Sequence, residues 1–461
     1  MGTETLFEDA EMVVRAQPGQ PGMPVLVSFG HLARRPEEPG FWAATLATAM
    51  GWPAIGFVAR RPNWFPTPSV EAAAGVVRER LEAMRPADGA AIGYGYSMGA
   101  HAVLRHGRML GLENAFAVSP QVSILPADVP WDSRFRAYHD PARDAGMMVR
   151  AGDAPAQSWI LADMRHPEDS AHARLMEALG ARAIHTPWMN HNPIQLLNDR
   201  VVTETALRSV LTGDAAPMRR VLRDRRHGSP FWQAGFGAAL VARGRERPGT
   251  VLLGRAVAAG LRPTHVAEAL AEAMRAKPSA SAAVLGPLAA LGGLDAGAWT
   301  DLCNQMAAAG HRREALAVAE AGYAAVGPQA VLLVQLGHLR LVEGQLESGR
   351  AALEQAVRLD PGEGWAWVGL SLARLRAGDK AGGEAAGREG VRLRPADPAA
   401  RLQWASALMA LGRFAQAGQA YAAALQLGGG VEAEEGLRRA RQEEGRASRI
   451  VPGWIRALRG R

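Results

Sequence analysis

Cysteine is almost absent from this chain: Cys303 stands alone among 461 residues. That excludes an internal disulfide framework and a cysteine-rich zinc site, and it fits a reducing compartment. Lysine is nearly missing as well. Of 52 basic residues only Lys277 and Lys380 are lysines, so arginine carries the net charge of +7. The arginines are scattered and often neighbour carboxylates, as in Arg78-Glu79-Arg80 and Arg441-Gln442-Glu443. A nucleic-acid footprint is a clustered stripe, so these read as solvated faces and no nucleic-acid partner is expected. The arginine bias, with its heavy alanine and glycine load, is the mark of GC-rich bacterial coding. No N-terminal apolar run follows basic residues, and no apolar stretch is long enough to span a bilayer. The expectation is a cytoplasmic protein without a membrane span. Length is not lacking, and it suggests about two to four domains.

Up to about residue 213, apolar runs alternate with segments of helical period. Residues 24–29, 53–59, 90–94, 115–118, 158–162 and 181–186 read as buried strands; 41–50, 70–84, 100–110 and 170–179 read as helices. Continuous apolar strands separated by helices predict a parallel sheet covered on both faces. The chemistry of such sheets collects at the carboxyl ends of the strands.

One strand end carries a distinctive turn, Gly95-Tyr96-Ser97-Met98-Gly99, between an apolar run and a helical segment. A serine in so sharp a strand-to-helix turn needs small neighbours, which Gly95 and Gly99 supply, and its hydroxyl projects above the sheet edge. The helix N-terminus aimed at the same point can stabilise an oxyanion, with the Met98 N–H as first donor. Downstream, two carboxylates are eligible to orient a base. Asp163 closes its strand, and Asp169 stands at the lip of the next helix. Reach over the strand ends favours Asp169, whose bland alternative is a helix N-cap. The base is expected at His191, on the loop after the last strand, where one ring nitrogen could take the serine proton and the other meet a carboxylate. His166 and His185 compete; His185 lies inside a strand and reads as a packed residue.

With Gly95–Gly99 followed by Asp169 and His191 in that order, residues from about 20 to 213 resemble the α/β-hydrolase superfamily. The resemblance implies cleavage of an acyl ester on a small-molecule or glycan substrate, with Ser97, His191 and Asp169 as catalytic residues and neither metal nor organic cofactor. It also implies a second oxyanion donor on the loop after an early strand, here near His31. A fainter likeness, at Pro62-Asn63-Trp64-Phe65 and Ser119-Pro120-Gln121, is to bacterial proteins of this type that handle surface polysaccharide. The stretch 123–157 is short and irregular, which argues for a small loop rather than a lid. Gly93-x-Gly95-x-x-x-Gly99 also resembles a dinucleotide-binding pattern. The next strand ends without a carboxylate for the ribose, however, and the pattern sits on what reads as the third strand rather than the first.

The second half repeats. Gly310, Gly344, Gly378 and Gly412 are spaced by 34 residues, as are Pro361 and Pro395. Paired helices with a mid-unit glycine and a terminal proline resemble the tetratricopeptide repeat, or TPR. Gly337, Ala356 and Trp367 match its small and aromatic positions, while Gly383 and Gly390 stand where alanine is expected and should loosen their unit. The resemblance implies a groove, with Val331, Val334, His338, Leu341 and Val342 on its concave face, that takes an apolar or helical protein segment.

The expected architecture is therefore α/β plus all-α. A parallel-sheet α/β-hydrolase-like domain (1–213) leads through a helical connector or degenerate repeats (214–295) to a TPR-like α-solenoid (296–432). A C-terminal helix and basic tail (433–461) follows, with Trp454, Ile455 and Leu458 capping the last repeat. The function expected is a serine esterase carrying an interaction array. The alternative is a non-catalytic TPR scaffold on a silent hydrolase fold.

Overall fold

The computed structural model describes residues 3–32, 40–86 and 89–449. The chain forms two compact units. The first runs to Ala269 and the second begins at Leu270, apart from a short exchange at Ala242–Gly244.

The first unit is built on one eight-stranded sheet. Its strands are β1 (Glu4–Glu8), β2 (Met12–Gln17), β3 (Val25–Phe29), β4 (Ala54–Ala59), β5 (Ala91–Tyr96), β6 (Asn114–Val118), β7 (Gln157–Ala162) and β8 (Arg182–His185). Their order across the sheet is β1-β2-β4-β3-β5-β6-β7-β8. β2 runs antiparallel to both neighbours and the rest pair in parallel. The serine turn thus follows the fifth strand, not the third. The two extra strands escape a sequence reading because β1, ETLFE, is charged and partly exposed and β2 is a single short run before any helix.

Helices α1 (Ala44–Met50), α2 (Thr67–Met84), α3 (Met98–His106), α4 (Pro167–Ala178), α5 (Arg200–Thr212) and α6 (Ala215–Arg226) cover the sheet. Side chains alternate along β3: Val25, Val27 and Phe29 pack with α2 and α3, whereas Leu26 packs with α1, α5 and α6. Both faces of the parallel strands are buried, so these strands read as unbroken apolar runs.

Helices α7 (Pro230–Ala242), α8 (Glu246–Ala258), α9 (Pro263–Ala276) and α10 (Ser281–Ala290) follow α6. With it they occupy the stretch 214–295, which is divided between the two units rather than forming a body of its own. The second unit then stacks four helix pairs: α11/α12 (Ala296–Ala308, Arg312–Val326), α13/α14 (Ala330–Val342, Leu346–Leu359), α15/α16 (Gly364–Arg376, Lys380–Leu393) and α17/α18 (Pro398–Ala410, Phe414–Gln426). Within each pair the turn is made by a left-handed glycine: Gly310 at φ 84°, Gly344 at 79°, Gly378 at 86° and Gly412 at 71°. That backbone requirement is the reason for the 34-residue glycine register. The array resembles TPR solenoids. α19 (Gly430–Arg449) follows it, and the basic tail with Trp454, Ile455 and Leu458 lies outside the described residues.

One expectation about the array needs correction. Val331 and Val342 are exposed and His338 is half-buried, but Val334 and Leu341 are core residues, Leu341 packing with Leu353 and Leu370. Helical period sets residues 331, 338 and 342 on one stripe and turns 334 and 341 toward the neighbouring helix, so the five do not line one surface. The glycines of α16 sit at close-packed positions. Gly383 and Gly390 are buried, and a Cβ on them would lie 2.8 Å from side-chain carbons of Leu375 and Val368 respectively.

Candidate active site

Four strand ends build the site. Ser97 follows β5 with φ 51° and ψ −115°, a strained conformation for any residue with a side chain. Its amide donates to the Val118 carbonyl at 2.9 Å and its carbonyl accepts from the His101 amide at 3.0 Å, pinning the turn from both sides. A Cβ on Gly95 would strike the Gly99 carbonyl, and one on Gly99 the Phe29 carbonyl. The two glycines are therefore steric requirements of the α3–β5 and α3–β3 crossings.

His191 stands on the turn after β8. Two residues of that turn, Trp188 at φ 67° and Asn190 at φ 49°, are left-handed. Asp163, at the end of β7, holds them: its Oδ2 accepts from the amides of Met189 at 2.9 Å and Asn190 at 3.0 Å. The Tyr96 hydroxyl donates to the His191 carbonyl at 3.1 Å. The ring is left spanning two side chains. Nε2 lies 3.0 Å from Ser97 Oγ, and Nδ1 lies 2.8 and 3.0 Å from Asp169 Oδ2 and Oδ1. An imidazole so held can take a proton at Nε2 while Nδ1–H stays on the carboxylate.

Asp169 is in the first turn of α4, which begins at Pro167 rather than Ser170. It does not cap that helix. His166 does, its Nδ1 accepting from the Asp169 amide at 3.3 Å. Burial pushes the Asp169 carboxyl up, but the charges of His191, His166 and Arg134 outweigh it and hold the group well below the usual carboxylate range. Asp163 has backbone amides but no cation against its carboxylate. Burial dominates there and raises its carboxyl to about 6.

The competing histidines are engaged elsewhere. Burial lowers His166 to about 4, against the pull of Asp169. His185 is exposed rather than packed, because β8 lies at the sheet edge, and its Nδ1 accepts from the Met164 amide at 3.0 Å. Of the two residues read as oxyanion donors, Met98 opens α3, where first-turn amides have no intrahelical acceptor. His31 stands beside Tyr96, ring centroids 6.4 Å apart.

Three further residues stand at the site. Gln121, fully buried, donates from Nε2 to the Ser119 carbonyl at 3.0 Å and to Ser97 Oγ at 3.4 Å, and its Oε1 accepts from the Trp64 indole at 3.1 Å. That bond joins the two short segments singled out above. Arg134 and Phe135 reach Asp169 and His191 from the irregular stretch between β6 and β7. No period or motif marks a loop residue that acts through tertiary contact.

No family model matches the chain, and no curated protein matches it in sequence. Among solved structures it is similar to MamA (16% identical over 36% of this chain and 91% of that one, TM-score 0.29). It is likewise similar to YrrB, described as a TPR protein with an unusual peptide-binding site (17%, 33% and 87%, 0.26). A third is the first TPR of Spaghetti (RPAP3) bound to an HSP90 peptide (21%, 25% and 93%, 0.24). The TPR-like fold of the repeat half rests on its own paired helices and glycine register.

Proposed function

We propose that this chain is a protein-binding repeat scaffold whose N-terminal α/β region carries a serine hydrolase site. The interaction array is supported by its stacked helix pairs, which present a long surface for a polypeptide. The hydrolase reading is supported by one observation, the His191 ring bridging Ser97 and Asp169 at hydrogen-bond distance through opposite nitrogens.

In this reading Ser97 Oγ attacks the carbonyl carbon of an acyl ester while His191 Nε2 takes its proton. Asp169 keeps Nδ1–H directed and stabilises the imidazolium. The oxyanion meets the N-terminal amides of α3, with Met98 first. The imidazolium then returns its proton to the leaving alkoxide, and water, activated by the same histidine, releases the acyl group. The Phe135 ring, its centroid 5.9 Å from that of His191, offers an apolar contact for the acyl group. The catalytically silent scaffold is the second reading. It is favoured by the burial of Ser97, 4% exposed.

A fluorophosphonate probe separates the two. Labelling of the full chain at Ser97, found by peptide mass spectrometry, is expected to vanish in Ser97→Ala and His191→Ala. In Asp169→Asn it should fall by about 100-fold or more. A folded wild type that stays unlabelled leaves the scaffold alone.

A further inference from the structure

Arg134 holds two buried carboxylates at once. Its Nη1 donates to Asp169 Oδ1 at 2.8 Å. Its Nε and Nη2 donate to Asp132, at 3.0 Å to Oδ1 and 2.8 Å to Oδ2. Asp132 is fixed in turn by His172. The Val122 amide donates to His172 Nδ1 at 3.1 Å, and Nε2 meets Asp132 Oδ2 at 2.9 Å. A backbone N–H can only donate, so the proton of the ring sits on Nε2 and points at the carboxylate. Asp132 therefore accepts from His172 on one side and from Arg134 on the other, and Arg134 donates onward to Asp169, on whose carboxylate His191 also sits.

Charge makes this arrangement consequential. Burial works against the Arg134 cation, but Asp169 and Asp132 more than restore it, so it remains charged wherever the protein is folded. Asp169 faces His191 on one side and a permanent cation on the other. Other groups facing that carboxylate are His166 of the α4 cap, 3.5 Å away, and through it Glu168; Asp163 at the end of β7; and Tyr96 of β5. Of these elements only the stretch carrying Arg134 brings a guanidinium against the carboxylate.

We propose that Arg134 is a positioning residue of the Ser97–His191–Asp169 site. It fixes the orientation of the Asp169 carboxylate and draws off part of its negative charge, so that His191 is held in place without being made too strong a base to release its proton. This builds on the hydrolase reading, because it is the imidazolium formed during acyl transfer that must give its proton up. Arg134 cannot lose its charge and is forked onto Asp132, which fixes the Nη1 that meets Asp169; a lysine would supply the charge without the fork.

An NMR titration of the full chain, with histidine rings labelled and His191 assigned by His191→Gln, reads the effect without turnover. In Arg134→Met the pH at which His191 takes up its proton is expected to rise by about one unit or more, as loss of a neighbouring cation demands. In Arg134→Lys it should stay near the wild-type value. Arg134→Met leaves two carboxylates uncompensated, so Asp132→Asn/Arg134→Met is carried beside it. That pair removes the cation together with one carboxylate and should shift His191 the same way. An unchanged His191 titration in either folded variant, or equal shifts in the Lys and Met variants, overturns the role given to Arg134. Absent phosphonate labelling of wild type instead overturns the hydrolase reading, so the two failures are distinguishable. If both hold, the acid limb of the labelling-rate profile moves upward in Arg134→Met by the same interval.

Discussion

Asp163 and Asp169 are six residues apart on the two sides of one loop, and their surroundings make different groups of them. Asp169 sits among His191, His166 and Arg134 and stays ionised; Asp163 accepts backbone amides without a cation, and burial lifts it to about 6 from an ordinary 3.8. The folded state therefore binds the Asp163 proton more tightly than the unfolded chain does. Its contribution to stability is full below about pH 4 and is lost as pH rises through about 6. Asp163→Asn cannot ionise. The difference in melting temperature between wild type and Asp163→Asn should accordingly turn against wild type between pH 4 and 6.5 and level off above, a window set by the two values just given. A flat difference across that range would show that burial does not govern this group. At this scale the sequence offers both carboxylates at the right place in the chain. Choosing between them takes the directions of two side chains and the position of the Arg134 guanidinium, none of which has a sequence pattern.

Glycine shows what an element asks of its residues. Gly95 and Gly99 lie where a Cβ would meet backbone rather than a movable side chain. Gly95→Ala or Gly99→Ala should lower stability by about 3 kcal/mol or prevent folding. Gly75, exposed within α2, has open space where its Cβ would be. Gly75→Ala should raise stability by about 0.5–1 kcal/mol through helix propensity. Gly383→Ala pits the two effects against each other, because the propensity gain must be set against the Leu375 side chain in α15. Urea midpoints of the four variants should rank Gly75→Ala highest and the two turn variants lowest, with Gly383→Ala at or below wild type. Helices and buried strands were legible from period and apolar runs. β1 and β2 were not, since a partly exposed charged edge strand and its short partner carry neither signal.

For the whole molecule, the two units rest on separate clusters of buried residues, and the repeat unit is a stack in which each helix pair leans on its neighbours. Leu353 fills the space left by Gly337 and Gly369 on the two flanking first helices. Leu353→Ala should cost about 2–5 kcal/mol, and the helical signal should begin to melt earlier and over a wider range, as nearest-neighbour stacks do. A sharp transition at the wild-type temperature would contradict that. The sequence by itself determined the alternation of strands and helices, the glycine turn around Ser97 and the 34-residue register. Each of these follows from local backbone geometry and from a periodicity that burial imposes along the chain. Only the tertiary structure decided which carboxylate meets His191, that Arg134 and Gln121 stand beside it, and that Val334 and Leu341 are core rather than groove. Those depend on through-space packing and electrostatics between segments tens of residues apart, and no local pattern encodes such contacts.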